Sequence, residues 1–345
     1  MKIILYDTKQ YDKIWFDRLN QKQHQITYVK DNLTSENIKQ AKGYDAICAF
    51  VNTDGNKQVL KTLSSLGVKY WLQRSMGYNR VDLKAAKKYD IQVFRVPNYS
   101  AESIGEHAMT LMLALNRHLI TAIKRNQKWN FTLDGLEGKV IYESTIGVIG
   151  AGKIGQSLIN IANGMGAKIL VYDEYAAKHF PETAKKLNFT YTSLEKVSQE
   201  SDFISLHAPL TPTTKHIINE KTIKLMTKKP ILINTSRGEL IDTSALVKAL
   251  KSGQISGAGL DVLENEAHLF YQNMSTDKKE LVKKNPNWYF LLNQDNVIIT
   301  SHQAFFTNVA LKQIAQITLD NATSAANNDF DNALQLTSDG KIKNG

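Results

Sequence analysis

No apolar run in this chain is long enough to cross a bilayer. The longest, Ala108 to Leu115, is interrupted by Thr110 and falls far short of the roughly 18 residues a spanning helix needs. The start offers only Ile3-Ile4-Leu5-Tyr6 before Asp7, too little for the ~7–15-residue apolar centre of a secretory leader, so the expected address is the cytoplasm. Cysteine is almost missing. The single Cys48 excludes an internal disulfide and any multi-thiolate metal site, and its neighbours Ala46, Ile47, Ala49 and Phe50 mark it as a core residue. With 6 prolines and 19 glycines in 345 residues, collagen-like and low-complexity classes are excluded. Charge of one sign is not gathered anywhere. The net charge of +10 comes from lysine pairs scattered end to end, such as Lys87-Lys88, Lys185-Lys186 and Lys283-Lys284. Without a dense basic tract, neither nucleic acid nor a membrane is expected as partner, although a mildly positive surface favours small anionic substrates. No His, Asp and Glu group has metal-ligand spacing, so no metal is expected.

What remains is an ordinary folded composition, 42% apolar and 22% charged, at a length that suits two domains. Short β-rich runs alternate with helical patterns over the first hundred residues: Lys2–Asp7, a helix through about His24, Gln25–Val29, a helix from Ser35, Asp45–Phe50, Lys69–Gln73, the helix Asp82–Tyr89 and Ile91–Val96. Such alternation signals parallel α/β layering. A long helix then opens at Ser100-Ala101-Glu102-Ser103 and is apolar nearly all round, hence buried. The stretch from about Arg117 to Glu143 is polar, tipped with Trp129 and Phe131, and predicts an arm that reaches a second subunit; a homodimer or homotetramer is expected. A second α/β unit starts with strand Thr145–Ile149 and continues through Lys168–Tyr172, Phe203–Leu206, Ile231–Asn234, Gly257–Asp261 and Val297–Thr300. An insertion follows Glu264, and a helix runs from Asn308 to about Asn327.

Gly150-Ala151-Gly152-Lys153-Ile154-Gly155 lies directly between strand Thr145–Ile149 and a helical pattern. In that context the glycines permit a tight turn, close approach of a pyrophosphate and tight helix–strand packing. Asp173 ends the next strand, where a carboxylate binds an adenosine ribose and repels a 2′-phosphate, so NAD is expected over NADP. Ligands in such sheets sit past the strand C-termini. There stand His207-Ala208-Pro209, Thr235-Ser236-Arg237-Gly238 and Ser301-His302-Gln303. Arg237 presents a planar fork of donors suited to a carboxylate. His207 and His302 are the two candidate acids, while His24, His118 and His179 read as surface residues. A general-acid histidine needs a carboxylate partner, and Asp261, Glu264 and Glu266 all lie close enough along the chain to serve.

These motifs, with Arg74-Ser75-Met76-Gly77-Tyr78-Asn79, Arg95-Val96-Pro97-Asn98-Tyr99-Ser100 and Gly105-Glu106-His107-Ala108, resemble the D-isomer-specific 2-hydroxyacid dehydrogenases over nearly the whole chain. Within that family the likeness is greatest to the bacterial NAD-dependent fermentative D-lactate dehydrogenases. The resemblance implies two α/β domains, Rossmann-like or flavodoxin-like, with a cleft between them: residues 1–100 plus 301–345 as the substrate domain and 101–300 as the NAD domain. It implies reversible NADH-dependent reduction of pyruvate to D-lactate. Arg237 would anchor and polarise the 2-oxo acid, His302 would supply the proton and Glu266 would be its partner. Met76 and Gly77 would bind the substrate carboxylate through their backbone, with Tyr99 and Phe305 as pocket walls. Cofactor contacts would fall to Gly150, Gly152, Lys153, Ile154, Gly155, Asp173, Ala208, Pro209, Thr214, Thr235, Ser236 and Asp261. Two rivals stand beside this reading: reduction of a bulkier 2-oxo acid, and an NAD-sensing co-regulator that turns nothing over.

Overall fold

The computed structural model describes residues 1–266, 269–271, 273–275, 278–329 and 335–341. The chain divides into two compact units, Met1–Ser100 with Phe306–Gly345, and Ala101–Phe305.

In the first unit, strands β1 (Lys2–Leu5), β2 (Gln25–Tyr28), β3 (Ala46–Ala49), β4 (Tyr70–Gln73) and β5 (Gln92–Arg95) alternate with helices α1 (Gln10–Asn20), α2 (Lys57–Ser65) and α3 (Leu83–Lys88). β3 and β4 are buried at every position, as a parallel sheet covered on both faces requires. Helix α2 begins because Asn56 accepts hydrogen bonds from the N–H groups of Gln58 and Val59, and it turns Leu60 and Leu63 inward. Cys48 is fully buried on β3. The helix expected from Ser35 is one 3₁₀ turn, Ile38–Ala41.

The second unit holds α4 (Ala101–Asn116), α5 (Leu119–Asn126), β6 (Thr145–Ile149), α6 (Lys153–Gly164), β7 (Lys168–Tyr172), α7 (Glu174–His179), α8 (Glu182–Lys186), β8 (Thr190–Tyr191), α9 (Leu194–Glu200), β9 (Phe203–Leu206), α10 (Glu220–Lys224), β10 (Ile231–Asn234), α11 (Thr243–Ser252), β11 (Gly257–Leu260), α12 (Lys278–Lys284), α13 (Pro286–Leu292) and β12 (Val297–Ile299). Its sheet runs β12-β11-β10-β9-β6-β7-β8, and every neighbouring pair is parallel. This is the doubly wound order whose direction reverses between β6 and β9, and a crevice opens at such a switch point. All of β6 and β9 is buried. Each large apolar side chain so covered contributes about 1.5–3 kcal/mol, which makes the sheet a fixed platform for the loops at its edge. Helix α4 is buried as its composition predicts; a Cβ on Gly105 would lie 2.6 Å from the Ser157 hydroxyl of α6.

The chain returns to the first unit with α14 (Asn308–Asn327) and β13 (Gln335–Leu336). Sheet order there is β13-β5-β4-β3-β1-β2, with only β13 antiparallel, the flavodoxin-like order plus one edge strand. Thr307 caps α14, whose Ala315, Leu319 and Ala322 share a core with Phe16 of α1. That packing corrects the surface reading of His24. Its ring is buried, Nε2 lies 3.0 Å from the Thr323 hydroxyl of α14, and burial together with the nearby amino terminus pushes it below the ordinary histidine range. The second unit also ends later than the expected residue 300, because Asp261 binds the N–H groups of Gln303 and Ala304. Among the described residues no helix is long and apolar enough to cross a membrane. Part of the insertion after Glu264 lies outside the described residues.

Candidate active site

The glycine-rich loop leaves β6 with Gly150 at φ +102°, a conformation that side chains resist. A Cβ there would meet the Ala208 nitrogen at 2.5 Å, so the loop after β6 is pressed against the loop after β9. A Cβ on Gly155 would sit 2.1 Å from the Gly150 carbonyl, whereas one on Gly152 would meet nothing within 4 Å. The first and third glycines thus close the turn. The second leaves open space above the N-terminus of α6, where Gly152 and Lys153 are exposed and Ile154 is half-buried. A helix N-terminus with free N–H groups attracts phosphate.

Asp173 accepts from Ala151 N–H at 2.8 Å and caps α7 through Ala176 N–H at 2.9 Å, joining the strand end to the glycine loop. Further along the edge, Ser236 Oγ donates to the Ala208 carbonyl at 2.8 Å and Thr214 Oγ1 donates to the Pro209 carbonyl at 2.5 Å. The Thr235 hydroxyl and His207 Nδ1 are buried with no protein partner among the described residues. An orphaned hydroxyl, an open glycine cradle and a strand-end carboxylate together supply donors and an acceptor that a dinucleotide fits. His207 itself is held by Ser205 Oγ at 2.8 Å from Nε2, and burial pushes its pKa down to about 4. It is neutral near pH 7 and unsuited to protonating a substrate.

His302 differs. It sits in a left-handed turn at φ +51° just past β12, and its Nδ1 lies 2.5 Å from Glu266 Oε1. The other Glu266 oxygen accepts from Leu263 N–H at 2.7 Å, which fixes the carboxylate. Three acids close in sequence are thereby separated in space. Glu264 goes to His216 Nε2 at 2.7 Å and to Thr243, whose N–H donates at 3.0 Å. Asp261 accepts from Thr300 Oγ1 at 2.5 Å, Gln303 N–H at 2.8 Å and Ala304 N–H at 2.9 Å, with His107 Nε2 at 3.5 Å. Its backbone carbonyl also accepts from His302 N–H at 2.8 Å. Burial raises the Asp261 carboxyl, but the bonds from His107, Thr300 and Ala304 outweigh it and hold the group below the usual carboxylate range. The residue has no exposed surface, and its carboxylate shapes the turn that presents His302.

Arg237 follows β10. Its Nη1 donates to the Ser236 carbonyl at 2.7 Å, and its own carbonyl accepts from Asn234 Nδ2 at 2.8 Å. The next residue, Gly238, allows the Glu266 loop to approach: a Cβ there would lie 2.1 Å from the carbonyl carbon of Leu263. Arg237, Glu266 and His302 therefore belong to one unit, on three adjacent strand ends, β10, β11 and β12. Phe305 is buried in the same unit.

Met76, Gly77 and Tyr99 belong to the other unit. The Met76 carbonyl accepts from Arg95 Nη1 at 3.1 Å and the Gly77 carbonyl from Ser75 Oγ at 2.8 Å. Among the described residues no acceptor pairs with the N–H of either. Sequence reasoning missed His107, His216, Thr243 and Thr300; each is an unremarkable residue type in a helix, turn or strand end, and only the fold brings them to the acids.

A strand-edge nucleotide cradle beside a carboxylate-paired histidine and an arginine defines a dinucleotide-dependent oxidoreductase. Comparison with known proteins narrows the class. Residues 109–304 match the family model for the D-isomer specific 2-hydroxyacid dehydrogenase, NAD binding domain. The chain is 41% identical over 325 residues to D-lactate dehydrogenase of Escherichia coli, covering 94% of this chain and 96% of that one. The pyruvate reductase structure of Chlamydomonas reinhardtii superposes with a TM-score of 0.89 at 38% identity, covering 95% and 97% of the two chains. D-lactate dehydrogenase with NAD⁺ from Lactobacillus jensenii does so with a TM-score of 0.80 at 34% identity, covering 95% and 98%. The chain belongs to the D-isomer specific 2-hydroxyacid dehydrogenase family, and its second unit is an NAD-binding domain.

Proposed function

We propose that this protein reduces pyruvate to D-lactate with NADH, reversibly. The observation that carries the reading is the 2.5 Å pair of His302 Nδ1 and Glu266 on a turn fixed by Asp261. With Nδ1 engaged by the carboxylate, Nε2 is the nitrogen free to hold the transferable proton. His302 gives that proton to the keto oxygen, and Arg237 stabilises the charge developing there. The N–H groups of Met76 and Gly77, which no acceptor pairs among the described residues, take the substrate carboxylate, and Tyr99 and Phe305 select for the size of the 2-oxo acid side chain. Gly150, Gly152, Lys153, Ile154, Gly155, Asp173, Ala208, Pro209, Thr214, Thr235, Ser236 and Asp261 hold the cofactor, which when bound supplies the hydride. The need for NADH favours a cytoplasmic address.

Self-association belongs to the same reading. Leu119, Ile123, Trp129, Phe131 and Leu133 of the arm are all exposed, Trp129 at 85%, a run of large apolar groups that a second copy in a homodimer or homotetramer would cover. A monomer mass by light scattering would remove this part.

The test of substrate and cofactor is a steady-state assay with both cofactors and a panel of 2-oxo acids. NADH should exceed NADPH in kcat/KM, because Asp173 opposes a 2′-phosphate, and pyruvate should exceed 2-oxoisocaproate. Each additional buried carbon shifts discrimination by ~1–3 kcal/mol, and 2-oxoisocaproate carries three more than pyruvate, so the second preference should be at least about tenfold. A higher kcat/KM for the branched acid would assign the bulkier substrate, and NADH binding without turnover of any 2-oxo acid would assign the co-regulator.

A further inference from the structure

Beneath the Met76-Gly77 loop runs a chain of buried polar side chains that the reaction does not use directly. Trp71 Nε1 donates to Gln73 Oε1 at 2.8 Å, Gln73 Nε2 donates to Ser75 Oγ at 2.8 Å, and Ser75 Oγ donates to the Gly77 carbonyl at 2.8 Å. Trp71, Gln73 and Ser75 are 0%, 3% and 4% exposed. The direction of this chain is not a free choice. An indole nitrogen only donates, so the amide of Gln73 must turn its oxygen to Trp71 and its nitrogen to Ser75. The Ser75 oxygen then accepts from that nitrogen, and its single proton is left for the Gly77 carbonyl. One donor-only ring in the core thus sets the direction of three successive hydrogen bonds. In a buried, water-excluded setting each of these bonds strengthens the next.

The consequence falls on the loop. With the Gly77 carbonyl held by Ser75 and the Met76 carbonyl held by Arg95, both acceptors of the turn are engaged by the protein. Among the described residues its two N–H groups are left unpaired. A loop with engaged carbonyls and free N–H groups attracts anions, and one whose carbonyls swing outward repels them.

We propose that Trp71, Gln73 and Ser75 form a positioning relay that fixes the Met76-Gly77 peptides in the orientation that binds a carboxylate. This rests on the reading above that these peptides receive the substrate carboxylate. Its action is on substrate binding, not on the proton or the hydride. Ser75→Ala removes the last bond while changing one atom in a well-packed site. It should raise KM for pyruvate and Kd for oxamate, a non-reacting 2-oxo acid mimic, by about tenfold, the worth of one strong buried hydrogen bond. Its kcat at saturation and its NADH Kd by fluorescence should stay within about twofold. Ser75→Thr keeps the hydroxyl and should restore most of the affinity. Trp71→Phe, which frees the Gln73 amide to flip, should move KM in the same direction by a smaller factor.

Amide NMR separates this proposal from the reading beneath it. In ¹⁵N-labelled wild-type protein with NADH, titrated oxamate should shift the Met76 and Gly77 amide resonances. If they do not move, the carboxylate binds elsewhere and the underlying reading fails. If they move but Ser75→Ala leaves oxamate Kd and pyruvate KM unchanged, the loop holds its orientation unaided and the relay is refuted. A loss of kcat and NADH affinity in Ser75→Ala alongside KM would mark general structural damage and equally overturn it, unless Ser75→Thr recovers KM alone.

Discussion

At the scale of single residues, the two histidines past the strand ends are set apart by what surrounds them. His207 is buried against a serine and stays neutral near pH 7, whereas His302 is paired with a fixed carboxylate. His302→Gln should therefore lower kcat for pyruvate reduction by about 10²–10⁴, the usual contribution of general acid catalysis, with NADH affinity little changed. His207→Gln should weaken NADH binding more than it slows turnover. Glu266→Gln keeps an acceptor for Nδ1 and loses the charge, so it should fall between wild type and His302→Gln in kcat. Stopped-flow kinetics with a fluorescence Kd for NADH reads all three, and loss of turnover confined to His207→Gln would reverse the roles. The candidate residues themselves were legible from position, because Arg237, His207 and His302 all follow strand C-termini. Which acid serves His302 was not. Asp261, Glu264 and Glu266 are equivalent by spacing, and only the turn geometry sends one to the 300–304 segment, one to His216 and one to the ring.

Among the elements, the central strands were readable because a covered parallel strand is a short apolar run, and the glycine motif marked the strand-to-helix turn. Segment 35–41 has helical spacing but makes one 3₁₀ turn; β8 and β13 are two-residue strands that owe their existence to a neighbour; and His24 is buried by a helix 299 residues away in sequence. For β13 and His24 the partners are so distant that they leave no local trace. Strand β9 carries a measurable consequence of its own. Its next residue, His207, cannot take up a proton in the fold until about pH 4, whereas in the unfolded chain it does so near the ordinary ~6.5. Between those values the unfolded state binds more protons, so stability is fully present above about pH 6.5 and falls as pH drops through the window, by on the order of 3 kcal/mol at the bottom. Melting of the apo protein from pH 7.5 to 5 should show a steeper decline for wild type than for His207→Asn. Parallel profiles would mean that the ring is accessible to protons.

For the molecule as a whole, each unit carries its own part of the proposed residue set. The second carries the nucleotide cradle, Arg237 and the His302–Glu266 pair on consecutive strand ends of one Rossmann sheet. The first carries, on a flavodoxin-like sheet, a loop whose N–H groups have no acceptor among the described residues. Two-domain α/β organisation was legible from the alternation of runs and the length, and the return of α14 to the first unit was not, since its amphipathic pattern suits either core. The central claim is reduction of pyruvate to the D product, and the configuration of the lactate formed tests it most directly. Pyruvate and NADH incubated with the protein, followed by stereospecific enzymatic assay of the product, should yield D-lactate in amounts equal to the NADH consumed. L-lactate, or consumption of NADH without lactate, would contradict the account.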